Sequence, residues 1–228
     1  MGKVTRGKRY RADLEKVPDR ALGLSEAIQI LQGFKAAKFD QTVELTLWLG
    51  IDPKQADQQL RGAISLPHGI GKSKKVIAFC DEATAAQAKA GGAIEAGGDE
   101  LIKKIQDGWA DFDVAVAHPS MMRSVSRLGR VLGPQGKMPS PKSGTVVEDI
   151  LTAVKEYSAG KVEFRNDDGG NVHVPVGKMS FEPAKLAENI EGFVNRIRQM
   201  KPATSKGIFI RKATLSASMT PGLRLDIQ

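Results

Sequence analysis

The chain is poor in cysteine, poor in aromatic residues and without long apolar runs, and each shortage removes a class of protein. Its one cysteine, Cys80, cannot form an internal disulfide, which fits a reducing compartment. Cys80 ends the apolar run Val76-Ile-Ala-Phe-Cys80. A buried structural thiol is therefore expected there, not a nucleophile. Aromatics make up 5% of the residues, so aliphatic side chains and alanine must build the cores. No apolar run approaches the roughly 18 residues of a membrane span. The basic stretch from Met1 to Arg11 is followed by no apolar segment, so it does not read as a signal peptide.

The usual catalytic constellations are also missing. His68, His118 and His173 lie far apart, without partner cysteines at ligand spacing, and no metal site is expected. Gly71-Lys72-Ser73 resembles the end of a phosphate-binding loop. The first glycine of that motif would fall on Leu66, and the stretch precedes its strand instead of linking strand to helix. Asp111 and Asp113 flank Phe112 just before an apolar run, where a solvated turn is the default. No Ser/His/Asp or Cys/His pattern stands out. Catalysis is therefore the weaker class, and the expectation is of a protein that is not an enzyme and has no cofactor.

What the chain has in excess is positive charge. At a net +8 and pI of about 9.6, it favours a polyanionic partner. The distribution is uneven. Residues 68–159 hold 12 Lys/Arg against 11 Asp/Glu, while the two flanks together hold 22 against 15. If the ends come together, they make one basic domain interrupted by a near-neutral one.

Periodicity divides the chain at similar places. Thr42-Val-Glu-Leu-Thr-Leu-Trp-Leu49 alternates strictly, as in a half-buried antiparallel strand. Its second face carries Thr42, Glu44, Thr46 and Trp48. Ser25 is read as the N-cap of a helix over Glu26–Gln32. The middle differs: Val76–Cys80 and Val114–Ala117 are continuous apolar runs, as in buried parallel strands, with helices expected over Glu82–Ala90, Asp99–Asp107, Ser120–Leu128 and Val147–Tyr157. After Gly160 alternation returns in Lys161–Arg165 and Asn171–Val176, joined by Asp167-Asp-Gly-Gly170 as a hairpin. Glu182–Met200 reads as a long amphipathic helix. Gly207–Arg211 and Leu223–Ile227 read as closing strands. The expected architecture is mixed α/β (α+β). A discontinuous domain from both ends, 1–67 and 160–228, holds an inserted domain, 68–159.

Three segments carry candidate binding chemistry. Leu132–Val146 contains three glycines, three prolines and the lysines Lys137 and Lys142, with no acid. Proline fixes φ and glycine permits positive φ, so this is a shaped loop. It faces an anion or is a rigid connector with solvated lysines. Lys35, Lys38 and Phe39 precede the alternating strand. An exposed aromatic among lysines can stack on a base; otherwise Phe39 packs inward as core. Ser216-Ala-Ser-Met-Thr-Pro-Gly222 is a polar turn. Its hydroxyls and amides suit RNA hydroxyls, phosphates and base edges, or it is a plain surface turn.

Together these blocks resemble the large-subunit ribosomal protein L-one family, over nearly the whole chain. The resemblance rests on Lys38-Phe-Asp-Gln-Thr-Val-Glu44, Arg61-Gly-Ala-Ile-Ser-Leu-Pro-His-Gly-Ile-Gly-Lys72, Leu128-Gly-Arg-Val-Leu-Gly-Pro-Gln-Gly-Lys-Met-Pro139, Pro141-Lys-Ser-Gly-Thr-Val146, Phe164-Arg-Asn-Asp167 and Ser218-Met219. It implies a first domain built from both chain ends and an inserted, Rossmann-like second domain that needs no nucleotide. It implies a cytoplasmic ribosomal protein of the large subunit that binds the stalk region of 23S rRNA. It further implies contact with tRNA at the exit site, help in releasing deacylated tRNA, and repression of its own operon mRNA. By motif, the RNA-binding residues are Lys38, Phe39, Thr42 and Glu44 with Ser218, Met219, Thr220, Pro221 and Gly222. The second domain contributes less, which lowers the weight of Lys137 and Lys142. The family commonly has glycine where this chain has Thr220. A β-branched residue there is expected to hold the turn back from RNA or to alter its contact.

Overall fold

The computed structural model describes residues 7–35 and 37–227. It is a mixed helix-and-strand protein. In chain order the helices are α1 (Lys8–Leu14), α2 (Leu24–Gln32), α3 (Glu82–Ala90), α4 (Asp99–Gln106), α5 (Met122–Val125), α6 (Gly129–Leu132), α7 (Ile150–Ser158) and α8 (Pro183–Gln199). The strands are β1 (Thr42–Leu49), β2 (Arg61–Ile64), β3 (Val76–Phe79), β4 (Glu95–Gly97), β5 (Val114–Ala117), β6 (Val162–Arg165), β7 (Asn171–Lys178), β8 (Ile210–Ala217) and β9 (Leu223–Leu225). The chain divides into two compact units. One comprises 1–60, 66–71 and 164–228, the other 61–65 and 72–163.

The first unit is built on an antiparallel sheet of order β7-β1-β8-β9. Alternation in β1 buries Val43, Leu45, Leu47 and Leu49. The apolar stripes of α2 (Ala27, Ile28, Leu31) and α8 (Leu186, Ile190, Phe193, Val194, Ile197) cover that side. On the other side of the sheet, Thr42, Glu44, Thr46 and Trp48 of β1 are partly or fully exposed. Two irregularities shape the sheet, one between Val43 and Glu44 against β7 and one between Trp48 and Leu49 against β8. Just past the second, the Gly50 N–H donates to the Phe209 carbonyl at 2.6 Å. A Cβ on Gly50 would overlap the Ile208 carbonyl oxygen, a backbone atom that cannot swing aside. Gly50→Ala is therefore expected to destabilise the unit by about 2 kcal/mol. The midpoint of urea unfolding would report it, and an unchanged midpoint would mean that the bulge adapts freely.

The second unit holds a parallel sheet of order β4-β3-β5. Both of its faces are buried, which explains the unbroken apolar runs. Val76, Ala78, Cys80, Val114 and Val116 pack with Ala88, Ile150, Val154 and Tyr157, from α3 and α7. Ile77, Phe79 and Ala115 pack on the other side with Leu101, Ile105, Val125 and Leu128. Cys80 is buried, as a structural thiol should be. The Gly/Pro loop has a defined course. Ser140 N–H donates to Thr145 Oγ1, the Tyr157 hydroxyl donates to the Ser143 carbonyl, and Val146 bridges Ala117 in parallel. Near the cavity bounded by Lys74, Asp113 and Glu163, burial pushes the Glu163 carboxyl up and the Lys74 amine down.

Several elements differ from the sequence expectation. Ser25 is not a cap; it lies inside α2, whose N-cap is Gly23. Leu22 is bridged to Leu225, and the helix begins as soon as the chain leaves that bridge. The Asp167–Gly170 turn forms, but its flanking strands separate. β6 pairs with β2 and β7 with β1, leaving a single bridge, Asn166 to Val172. The cause is Asn166, whose backbone N–H and side-chain oxygen both bond Leu60 and draw β6 away. The closing strand runs from Ile210 to Ala217, later than expected, because Gly207 at φ 80° bends the chain before it. The helix expected over Ser120–Leu128 is broken into short α and 3-10 turns from Pro119 onwards, and α7 starts at Ile150, capped by Asp149. Within the basic stretch from Met1 to Arg11, residues from Lys8 onward enter α1.

Candidate nucleic-acid interface

The uncovered face of the first unit's sheet is a polar grid. Along β1, Glu44 lies between Pro175 and Ser216, Thr46 between His173 and Thr214, and Trp48 between Asn171 and Lys212. Arg224 of β9 extends the middle row beyond Thr214. Thr46 Oγ1 and His173 Nδ1 are hydrogen-bonded at 3.2 Å. Asp167 is held below the usual carboxylate range by the Asn171 side chain, then by the Asn171 and Gly169 backbone N–H groups and His173. From Gly192 to Leu225 the sequence has seven Lys/Arg and no Asp/Glu. β8 and β9 thus bring Lys212 and Arg224 to a surface of hydroxyls and amides that also carries Glu44 and Asp167. Such a surface can neutralise phosphates and hydrogen-bond sugars and base edges.

One end of this grid joins segments far apart in the sequence. Gln41 is buried; its side-chain oxygen accepts from Met219 N–H at 3.0 Å, and its carbonyl accepts from Met179 N–H at 2.9 Å. Thr42 N–H donates to Ser218 Oγ, and Ser218 N–H donates to the Thr42 carbonyl at 3.1 Å. Lys178 Nζ donates to Thr42 Oγ1 at 2.9 Å. On this locked junction stand two large apolar side chains that face solvent, Phe39 at 56% exposure and Met219 at 51%. The core alternative for Phe39 is thereby excluded. Lys38 and Glu44 are exposed as well, and Arg9 of α1 reaches the Met219 carbonyl at 3.4 Å. The structure brings the two predicted groups of residues together, although about 180 positions separate them in sequence.

Thr220 does not adopt positive φ, so its backbone is unstrained without glycine. Its N–H donates to the Ala217 carbonyl at 3.1 Å, and its hydroxyl accepts from Ala217 N–H at 2.9 Å. Thr220 therefore closes the turn on itself. Thr220→Val, which removes that acceptor, is expected to cost about 1 kcal/mol of stability in chemical denaturation. No change would show that water takes over the Ala217 N–H. Pro221 is buried and shapes the turn, while Gly222 leaves room for Thr214, whose Cγ2 would lie 2.8 Å from an added Cβ.

Sequence reasoning missed Arg9, Gln41, Lys178, His173, Lys212 and Arg224. Alternation within β7 pointed to His173, but which strand lies beside β1 was hidden. Gln41 gives no local signal. In the second unit, Lys137 is committed elsewhere: its Nζ donates to the Ala110 carbonyl at 3.0 Å and lies 5.0 Å from the centre of the Phe112 ring. No helix among the described residues is long and apolar enough to cross a membrane.

Residues 31–221 match the ribosomal protein L1p/L10e family. Over 225 residues, 98% of this chain and 97% of the relative, the sequence is 51% identical to the large ribosomal subunit protein uL1 of Kosmotoga olearia. The matched stretch spans both halves of the junction at Thr42 and Ser218, and both the mixed α/β fold and the sequence place the chain: it belongs to the ribosomal protein L1p/L10e family.

Proposed function

We propose that the chain is a structural constituent of the large ribosomal subunit that binds the stalk region of 23S rRNA and has no catalytic role. The open sheet face of the first unit is its RNA-binding surface. The domain from both chain ends, 1–67 and 160–228, carries affinity and specificity, and the inserted Rossmann-like domain, 68–159, is carried with it. Bound there, the protein forms the mobile stalk beside the tRNA exit site, touches the exiting tRNA and assists release of deacylated tRNA. The same surface binds a mimic of the rRNA site in its own operon mRNA and represses translation.

The observation that carries this reading is the pair Phe39 and Met219. Each leaves more than half of a large apolar side chain in water, on a junction braced by Gln41, Thr42 and Ser218. Bracing keeps the pair presented, so little ordering remains to be done on binding. Lys38 and Lys178 supply charge beside it, and Lys212 and Arg224 lie farther along the same face. The test is binding of the intact protein to the stalk segment of the large-subunit rRNA across a salt series, against unrelated structured RNA. Tight binding that survives the competitor, with a modest salt slope, supports a shaped site. Binding that collapses with salt and competitor leaves a general polyanion binder and sinks the proposal.

A further inference from the structure

Trp48 occupies the far end of the β1 exposed row, about 20 Å along the strand from Thr42 at the usual rise per residue. It is 42% exposed, although the other outward positions of β1 are Thr or Glu. The Arg211 guanidinium lies 5.2 Å from the centre of the indole ring. Lys212 is its direct cross-strand neighbour on β8, and Asn171 on β7. Neither Arg211 nor Lys212 makes an ion pair among the described residues. The Asn171 side chain is held by Asp167, the acid on that side of the strand.

Arginine stacked on tryptophan could be a private cation–π contact, which at exposed sites is typically worth ~0.5–1 kcal/mol. Two features point further. The guanidinium lies over an exposed indole, and the cations beside it make no ion pair among the described residues. The chain from Gly192 to Leu225 contains no acid at all, so the strand that carries Arg211 and Lys212 adds only positive charge to this end of the face. A surface of exposed indole, guanidinium and ammonium fits a nucleobase with its phosphate.

We infer that Trp48, Arg211 and Lys212 form a second RNA contact, in which an unpaired base stacks on Trp48 and Arg211 and its phosphate meets Lys212. This rests on the RNA-binding reading of the open face. The bound nucleotide belongs to the same RNA that docks at Phe39 and Met219, in a single-stranded stretch leading away from that site.

The chain has two tryptophans, so Trp109→Phe leaves Trp48 as the sole indole reporter. The full-length variant is titrated with the stalk segment of large-subunit rRNA, with and without its single-stranded flanks. Retention on filters measures binding and indole emission measures stacking. Quenching with the flanked RNA is expected. Trp48→Ala should weaken binding of that RNA about tenfold, and Lys212→Gln should lower its salt slope by about one. If the RNA is retained while emission and the affinity of Trp48→Ala stay unchanged, the second contact is overturned and the main site stands. Emission that responds only to ribosomal proteins free of RNA also overturns it, in favour of a protein neighbour. If the parent retains no RNA specifically, the broader reading falls with it. The emission arm needs no substitution at Trp48, so a misfolded Trp48→Ala leaves the inference open to refutation.

Discussion

Phe39→Ala and Met219→Ala are each expected to weaken binding to the stalk rRNA by about tenfold or more, while Lys137→Gln leaves it within about twofold. Both large side chains are more than half exposed, so their truncation removes little from the core. What it removes is contact area on a surface already held in shape. Gln41 fixes Met219 through its backbone N–H, and Thr42 and Ser218 clasp each other. Apolar contacts on a rigid frame contribute most per side chain, since few rotamers are left to order. Lys137 makes the opposite case. Its ammonium is bonded to the Ala110 carbonyl and rests over Phe112, so a phosphate would have to compete for it. Filter binding at one fixed salt concentration decides between them. Comparable losses at all three positions would overturn the site assignment and leave only charge.

Asn189→Leu should cost roughly 4 kcal/mol of stability, more than any other substitution named for its effect on stability. Asn189 projects from α8 into the interior and is fully buried. Its Oδ1 accepts from His68 N–H at 3.1 Å, and its Nδ2 donates to the Gly69 carbonyl at 2.9 Å and the Val176 carbonyl at 2.8 Å. One amide thus satisfies three backbone groups from two separate stretches of the first unit. Leucine has nearly the same volume but leaves all three without partners. An unpaired buried polar group costs ~1–3 kcal/mol; the Val176 bond is buried and the His68 and Gly69 bonds are partly so, and together they give the expected loss. Urea unfolding with an unchanged slope and a lowered midpoint would report it. A loss below about 1 kcal/mol would show that water reaches these groups.

The two substitutions differ in how far the sequence announces them. Phe39 stands in a recognisable block with lysines, yet its exposure could not be read there, because an aromatic before a strand is as readily core as surface. Asn189 lies inside an amphipathic helix, where a polar residue reads as solvent-facing. Only the arrival of His68 and Gly69 beside α8 turns it inward.

The same division runs through the fold. Strict alternation in Thr42–Leu49 and unbroken apolar runs at Val76 and Val114 are local, since side-chain period and two-sided burial are written in neighbouring residues. These determined a half-covered strand, a buried parallel sheet and a basic chain able to hold a polyanion. Partnership is not local. That β6 leaves its hairpin for β2 depends on Asn166 meeting Leu60, and that β8 lies beside β1 depends on a register spanning both chain ends. The joining of Thr42 to Ser218, the outward stance of Phe39 and Met219, and the free Trp48 face were decided by tertiary structure alone. Hydrogen-bond partners and exposure are properties of surfaces that meet only once the chain has closed.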